Sequence, residues 1–386
     1  MTMALEHIKV LDLTANLSGP YCAMLLADQG ADVIKIEHPD VGDDMRLTPP
    51  FIAGESSPFM VWNRNKRSIV LDLKSGDGLG AMKQLAAGAD VLIENFKPGT
   101  AERLGIGYEA MHELNPRLVY CSISGFGQTG PYGPRGGFDL IMQGMTGLAA
   151  ISGPEDGGPH RLPIPVNDLC GGMNGAIGIL TALAARENTG EGQQVDVSLF
   201  ESGIALGVYE AGYKFATGEE PPRLGQKHRG SAPYQIYPTS DGHIVVGASA
   251  QRFWSKACKV MGCEELVDDP RFAGKADRVR NNDALNEIVA ERLRHESTQY
   301  WFERLDAEGI PAGPVMNYTE VYDDPQTKAR DMVVEVDHPT AGAVKTLGVH
   351  IKLSATPGRV HRPAPRHGEH TEEVLAELAS KAEAAE

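Results

Sequence analysis

The first third of the chain alternates short apolar runs with stretches of helical periodicity. The apolar runs predict strands at residues 7–13, 32–37, 68–73, 90–95 and 117–122. The patterns between them predict helices at residues 21–29, 78–87 and 108–114. Strands that alternate with helices favour a parallel sheet covered on both faces, so the predicted fold class is α/β.

The pattern becomes richer in glycine in the middle of the chain and changes again near Pro221. Helices are predicted at residues 139–148, 168–185 and 199–215, and one strand is predicted at residues 192–197. Residues 234–248 predict a β-hairpin, because Asp241-Gly242 is a strong turn signal. Later segments predict helices at 283–293, 298–308 and 369–382, and strands within 332–353. Residues 225–321 are interpreted as a smaller α+β domain.

Composition and charge narrow the class of protein. Of the 386 residues, 41% are hydrophobic and 23% are charged, which is ordinary for a globular protein of two or three domains. The net charge of −16 argues against a general nucleic-acid binder, although it permits a local basic pocket. Five scattered cysteines without a CxxC motif predict a reducing compartment. The first seven residues do not resemble a signal peptide, and the longest apolar run is too short to span a membrane. We therefore predict a cytoplasmic protein without nucleic-acid or membrane partners.

Basic residues cluster near the ends of the early strands and in the loops beyond them. They are Arg64, Lys66, Arg67, Lys74, Lys97 and Arg103. Each alone is typical of a solvated surface, but together they predict a positive rim for a phosphorylated ligand at the sheet edge. The loop TANLSGP at residues 14–20 lacks the GxGxxG glycines, which argues against a nicotinamide dinucleotide. No metal-binding motif such as HExxH is present, so no metal is predicted.

One carboxylate, Asp168, precedes the glycine-rich pattern in PIPVNDLCGGMNGAIGILTAL. The positive end of a helix dipole favours a negative charge there, and free backbone amides are expected near by. Two interpretations follow from this pattern: a plain helix N-cap, which is a common use of aspartate, or a functional carboxylate. The glycines that follow predict either a close backbone approach or tight helix packing.

Several longer segments resemble class III CoA-transferases. They are GADVIKIEHP (30–39), ENFKPGTAERLGIGYE (94–109), SGFGQTGPY (124–132), TGEGQQVDVSLFES (189–202), GIPAGPV (309–315), DPQTKAR (324–330) and GEHTEEVL (368–375). The group includes formyl-CoA transferase, carnitine CoA-transferase and alpha-methylacyl-CoA racemase. The resemblance spans nearly the whole chain in order.

The resemblance implies an architecture. A large Rossmann-like CoA-binding domain would comprise residues 1–224 and 322–386 with the linkers, and residues 225–321 would form the small domain. Two chains would interlock as a homodimer. Acyl-CoA and a carboxylic acid would be the substrates, and CoA would be part of the substrate, with no separate cofactor.

The resemblance also implies residue roles. The family's nucleophilic aspartate falls on Asp168. Positions that contact CoA fall on His38, Leu71, Asp72, Leu73, Lys74, Asn95, Phe96, Lys97 and Arg103, with Arg135 as a further candidate. Asn16 and Leu17 would line the catalytic pocket. Position 38 is often arginine in the family, so histidine weakens the contact expected there. Residues 228–234 lack the run of glycines found in formyl-CoA transferase, which argues against formate and oxalate as substrates.

The implied reaction proceeds through an aspartyl mixed anhydride and an aspartyl-CoA thioester, with backbone amides after Asp168 stabilising the oxyanions. The first alternative is an acyl-CoA racemase, which needs a second acid/base group. Related racemases carry histidine in a GHD motif, where this chain has Gly137-Phe138-Asp139. Phe138 cannot exchange a proton and is otherwise interpreted as core packing. The second alternative, a non-catalytic CoA-binding subunit, is disfavoured by the intact Asp168.

Overall fold

The computed structural model describes residues 2–385, which divide into two compact units. The first unit contains the residues up to Ala149, Arg161–Gly218 and the chain from Pro325 onward, and the second contains Ala150–His160 and Glu219–Asp324. The excursion of Ala150–His160 into the second unit has no counterpart in the expected organisation. The domain boundaries at 224/225 and 321/322 stay a prediction, because compactness alone does not establish that a unit folds independently.

The first unit is built on a six-stranded parallel sheet, which confirms the α/β fold class. Its strands are β1 (Lys9–Asp12), β2 (Asp32–Glu37), β5 (Lys66–Val70), β6 (Val91–Glu94), β7 (Val119–Ser124) and β8 (Gln194–Ser198). Their order in the sheet is β5-β2-β1-β6-β7-β8. A two-stranded hairpin, β3 (Phe51–Ile52) and β4 (Glu55–Ser56), lies between β2 and β5 in the sequence.

Helices cover both faces of this sheet, as the alternating pattern predicts. The helices of the first unit are α1 (Ser18–Asp28), α2 (Ser57–Trp62), α3 (Gly76–Ala87), α4 (Thr100–Arg103), α5 (Tyr108–Leu114), α6 (Asp139–Met145), α8 (Val166–Thr189), α9 (Leu199–Leu206) and α10 (Val208–Thr217), with α7 (Leu148–Ile151) at its limit. Alternate strand residues enter two cores: Val10 and Val91 pack under α1 and α8, whereas Leu11 and Leu92 pack under α3 and α5.

The glycines of α8 allow this helix to lie directly on α1. A methyl group built on Gly172 would stand 2.6 Å from the carbonyl oxygen of Ser18, and one on Gly175 would stand 3.0 Å from Cys22 Sγ. A side chain at either position would therefore push the helices apart. This close approach places the start of α8 beside the loop that precedes α1.

By length and composition alone, α8 is the one helix within residues 2–385 that could span a membrane. One such helix is weak evidence, because core helices of globular proteins satisfy the same criteria. Here α8 packs one side against α1, β7 and β8. Its opposite side leaves Met173, Ile177 and Leu180 exposed.

The second unit contains a three-stranded antiparallel sheet in the order β11-β10-β9. Its elements are β9 (Tyr234–Pro238), β10 (His243–Gly247), α11 (Gln251–Met261), α12 (Lys275–Arg280), α13 (Asn282–Leu293), α14 (Thr298–Ala307), β11 (Ala312–Pro314) and α15 (Tyr318–Asp323). The hairpin predicted at 234–248 is confirmed, with Thr239 N–H donating to the Gly242 carbonyl at 2.9 Å. Trp254 and Phe272 are fully buried in the core of this unit.

The chain from Pro325 onward returns to the first unit. It forms α16 (Pro325–Ala329), the antiparallel pair β12 (Val333–His338) and β13 (Gly342–Leu347), and α17 (Thr371–Ala385). The strands and the final helix predicted for this part are confirmed. The single helix expected at 199–215 is instead divided into α9 and α10, because Gly207 leaves helical geometry with ψ near 26°. All five cysteines are free thiols.

Candidate active site

The structure places Asp168 inside a helix instead of before it. Helix α8 begins at Val166, so Asp168 is its third residue, and the N-cap position belongs to Pro165 without a side-chain cap. The N-cap interpretation of Asp168 is therefore wrong. The carboxylate instead lines a cavity of about 250 Å³, which we call the reaction cavity.

The surroundings of Asp168 disfavour its charge. Burial raises the pKa of Asp168 to about 7, and the nearby Asp139 carboxylate adds to this effect. Asp139 is held in place, since it accepts hydrogen bonds from Asn167 N–H at 2.8 Å and Gln143 Nε2 at 2.7 Å. Among the side chains of residues 2–380, which the structure describes, no basic group forms an ion pair with Asp168. A carboxylate without a paired cation keeps its electron density available for reaction.

The reaction cavity unites residues that are far apart in the sequence. Its predicted members are Asn16, Leu17, Asn95, Phe96, Lys97, Arg135 and Asp168. It is also lined by Gly125, Phe138 and Leu199, which were not predicted as site residues. The side chain of Phe138 is 71% exposed, so its interpretation as core packing is wrong.

A second cavity of about 190 Å³, which we call the edge cavity, lies at the carboxyl ends of the central strands. Its predicted members are His38, Leu71, Asp72, Leu73, Lys74 and Phe96. Phe96 lines both cavities, which places them side by side. Arg103 lines neither cavity; its guanidinium donates to Thr100 Oγ1 at 2.8 Å, and the neighbouring Leu104 lines the edge cavity. The carboxyl edge of a parallel sheet is where such folds bind ligands.

Three of the six basic residues predicted to form a positive rim are buried inside the protein. Arg64, Lys66 and Arg67 are buried and form ion pairs: Arg64 with Asp28, Lys66 with Asp12, and Arg67 with Asp32, Glu373 and Glu377. The prediction that these three face a ligand is wrong, because their carboxylate partners enclose them. Lys74, Lys97 and Arg103 remain exposed. The Arg135 guanidinium stacks 4.2 Å from the centre of the Tyr132 ring.

The backbone amides expected to stabilise an oxyanion are not free. Gly171 and Gly172 lie more than four residues inside α8, where backbone N–H groups donate to the preceding helical turn. Both interpretations of these glycines hold: a Cβ on Gly172 would meet the backbone of Ser18, which is a close backbone approach, and one on Gly171 would meet the side chain of Leu199, which is tight packing. A donor for a developing negative charge must therefore come from another part of the cavity wall.

The side chain of Asn95 has a role that its sequence position did not reveal. Its Oδ1 accepts from Ala15 N–H at 2.9 Å, and its Nδ2 donates to the Ala15 carbonyl at 2.7 Å. Asn95 thus pairs with the backbone of residue 15 as a neighbouring strand would. Lys35, Asp43 and Trp62 also hold this loop, and they were missed because they are 21 to 46 residues away in the sequence from the loop residues that they bond.

Comparisons with known proteins found relatives that match nearly the whole chain. A family model described as CoA-transferase family III matches residues 5–371. A succinyl-CoA:glutarate CoA-transferase from Homo sapiens is 38% identical over 375 residues, which cover 97% of this chain and 86% of that protein. A succinate–glutarate CoA-transferase from Agrobacterium fabrum is 36% identical, covering 97% of this chain and 95% of that protein. The crystal structure of a CAIB/BAIF family protein from Brucella suis is 36% identical with a TM-score of 0.88, covering 98% of this chain and all of that chain.

The raised pKa of Asp168 predicts a pH-dependent cost to stability. Between the ordinary aspartate pKa and about 7, the folded protein binds a proton that the unfolded chain releases, so stability falls as pH rises. At pH 8, Asp168→Asn should therefore have a free energy of unfolding about 2–4 kcal/mol higher than that of the parent, and near pH 4 the two should be equal. Urea unfolding at both pH values measures the two free energies. An equal difference at both would contradict the raised pKa.

Proposed function

The chain belongs to CoA-transferase family III and is a CoA-transferase, an enzyme that moves CoA from an acyl-CoA donor to a carboxylic acid, and from this premise we propose that Asp168 is its nucleophile. CoA is a substrate of such an enzyme and not a resident cofactor. The observation that carries the proposal is the Asp168 carboxylate, which has no ion pair among the described side chains and lines a cavity that adjoins a second cavity at the sheet edge.

The reaction proposed for Asp168 consists of four carbonyl substitutions. The Asp168 carboxylate attacks the acyl-CoA carbonyl, and CoA leaves as a thiolate from a mixed anhydride. The thiolate attacks the aspartyl carbonyl and releases the donor acid, which leaves an aspartyl-CoA thioester. The acceptor carboxylate attacks this thioester and again releases the thiolate. Finally the thiolate attacks the acceptor's acyl carbonyl, which frees Asp168. Charge balances at each step without a net proton transfer.

The environment of Asp168 suits these steps. With a pKa of about 7, Asp168 is a more basic nucleophile than an ordinary aspartate, yet about half of it is ionised at neutral pH. Its position in the first turn of α8 lets the helix dipole favour the carboxylate that must be regenerated. The absence of a paired cation among the described residues means that attack does not require an ion pair to be broken.

The edge cavity is proposed to bind the nucleotide end of CoA. Its walls combine apolar side chains such as Leu71 and Leu73 with the exposed ammonium of Lys74. Apolar contacts suit adenine, and an ammonium suits a phosphate. Phe96 stands between this cavity and the one containing Asp168, so the pantetheine arm would pass it. Arg103 would also contact the nucleotide end of CoA, from outside the cavity wall.

Dicarboxylic acids are the proposed class of acyl group. The relatives from Homo sapiens and Agrobacterium fabrum are both named for succinate or succinyl-CoA and glutarate. In this chain, the reaction cavity holds Lys97 and Arg135, neither of which pairs with a carboxylate among the described residues. These cations would bind the second carboxylate of such an acid in a protein whose net charge is otherwise −16.

A racemase would need a second proton-exchanging group opposite Asp168. The position that supplies histidine in related racemases is Phe138, and its side chain lines the reaction cavity. A hydrocarbon at this point of the cavity wall supports the transferase.

Removal of the Asp168 carboxylate tests the covalent intermediate. Asp168→Ala should keep its fold and CoA binding but lose transfer between succinyl-CoA and glutarate, because the acyl group has no carboxylate to join. Hydroxylamine added to the parent enzyme during turnover should mark Asp168, as mass spectrometry of its peptide would show. Transfer retained by Asp168→Ala would exclude Asp168. Deuterium uptake at the alpha carbon of 2-methylacyl-CoA without an acceptor acid would instead identify a racemase.

Removal of the Lys74 ammonium tests the CoA site. Lys74→Ala should raise KM for acyl-CoA about tenfold, because it removes one charged contact to phosphate, and leave kcat largely unchanged. Steady-state kinetics with varied acyl-CoA measure this. Lys83→Ala is the matched control, since Lys83 is an exposed lysine on α3 that lines neither cavity. An equal KM for the parent and Lys74→Ala would remove Lys74 from the CoA site.

We also propose that the enzyme is an interlocked homodimer; its cytoplasmic location stays a prediction. The support is an exposed apolar face on α8, formed by Met173, Ile177 and Leu180, together with Ile204 of α9 and Val208 of α10. Exposed apolar side chains grouped on neighbouring helices are typical of an interface between subunits.

Ile177→Asp should therefore lower the temperature at which the dimer unfolds, because it places a charge in the interface and interlocked chains cannot separate without unfolding. Leu114→Asp, which alters an exposed leucine on α5, should unfold at the temperature of the parent, and sedimentation velocity gives the number of chains in the parent enzyme. A monomeric parent enzyme would contradict the dimer. Full activity in the purified homodimer would exclude the alternative of a non-catalytic subunit.

A further inference from the structure

The loop at residues 14–16 is held by side chains at each of its backbone polar groups. Thr14 N–H donates to Asp12 Oδ1 at 3.0 Å, and the Thr14 carbonyl accepts from Lys35 Nζ at 2.7 Å. Asn95 bonds both polar groups of Ala15. All of these groups come from different parts of the sheet edge. These hydrogen bonds hold the backbone of the loop in one conformation.

The last residue of this loop, Asn16, is fixed from two sides. Its N–H donates to Asp43 Oδ1 at 3.0 Å, and its carbonyl accepts from Trp62 Nε1 at 2.8 Å. Asp43 is itself anchored, because it forms a buried ion pair with Lys35 at 2.9 Å. Asn16 adopts the left-handed backbone conformation with φ at 68°. Asparagine tolerates this conformation better than most residues, and glycine tolerates it best.

The side chain of Asn16, unlike its backbone, is left available. Asn16 is exposed and lines the reaction cavity with Asp168, and its side chain makes no hydrogen bond with the described part of the chain, residues 2–380. The other side-chain amide of the cavity wall, Asn95, already bonds Ala15 with both of its polar atoms. The backbone amides of Gly171 and Gly172 are committed to α8. Asn16 therefore offers a neutral amide donor in a cavity whose chemistry generates oxyanions.

We propose that Asn16 Nδ2 donates a hydrogen bond to the acyl oxygen as it becomes an oxyanion, and that Trp62 is a positioning residue that acts through Asn16. This rests on the proposed function, since the oxyanion arises when Asp168 or CoA attacks a carbonyl. The donor serves the first and last substitutions, because in these two steps the charge develops on the acyl oxygen, whereas in the second and third it develops on the carbonyl oxygen of Asp168 itself. A donor whose backbone is already fixed needs no reorganisation during the reaction.

The decisive variants are Asn16→Gly and Asn16→Asp. Glycine keeps the left-handed backbone and removes the amide, so kcat for succinyl-CoA:glutarate transfer should fall about 100-fold while KM for succinyl-CoA changes little. Aspartate keeps the shape but places a negative charge beside the oxyanion, so its kcat should be lower still. Thermal unfolding and CoA binding serve as controls for the fold. An Asn16→Gly enzyme with the parent's kcat would overturn the proposal, since asparagine would then serve the backbone alone.

Trp62→Phe tests the positioning role. It removes one hydrogen bond to Asn16, so kcat should fall about fivefold in the parent enzyme. In the Asn16→Gly background the same change should have no effect, because the group that Trp62 positions is gone. An equal loss in both backgrounds would overturn the positioning role of Trp62.

Labelling of Asp168 separates this proposal from the mechanism on which it rests. Hydroxylamine is first used to mark the parent enzyme during turnover. If Asp168 is not marked, the aspartyl mechanism fails, whatever Asn16→Gly does. If Asp168 is marked and Asn16→Gly turns over as fast as the parent, only the role of Asn16 fails. Slower marking of Asp168 in Asn16→Gly is the expected result, because formation of the anhydride also passes through an oxyanion.

Discussion

The carboxylate of Asp12 lies completely buried at the carboxyl end of β1, between two lysine ammonium groups. Burial alone would raise its pKa, but Lys66 and Lys35 lower the pKa to about 2. Lys66 Nζ also donates to the Pro20 carbonyl and to Asn63 Oδ1. The interaction thus ties β1 and β5 to the start of α1. Removal of one partner would leave a buried charge uncompensated, at a cost of about 3–5 kcal/mol. Both cavities depend on this interaction, because Thr14 N–H donates to the Asp12 carboxylate and Thr14 starts the loop that lines them.

The second constraint is the contact between α1 and α8. Glycines at residues 172 and 175 bring the backbones together, so that the first turn of α8 reaches the loop that Asp12 organises. Asp168 and Asn16 consequently line one cavity although 152 residues separate them. The glycine-rich pattern therefore serves geometry, and the chemistry that we propose belongs to the side chains that this geometry brings together. Oxyanion stabilisation from a preformed wall fits this division.

Charge is distributed according to burial. Lys35, Lys66 and Arg64 are buried with carboxylate partners and contribute to the framework. Lys97 and Arg135 line the reaction cavity without such partners among the described residues. An acidic protein can accommodate an anionic substrate in this way, because the local charges at the site and not the net charge decide binding.

The sequence by itself determined the elements whose patterns are local. The apolar run at Asp32–Glu37 and the helix at Tyr108–Leu114 are observed with the predicted limits, because a buried parallel strand and a short amphipathic helix are encoded by neighbouring residues. The motifs that resemble class III CoA-transferases are also contiguous, and they identified the family. Only the tertiary structure decided the partners of side chains. Lys66 could be a surface lysine or a buried one until Asp12, 54 residues away, stands opposite it. Asn16 became a candidate donor only when Asp43, Trp62 and Asn95 were seen to hold its loop, since hydrogen bonds between distant residues leave no periodic trace in a sequence.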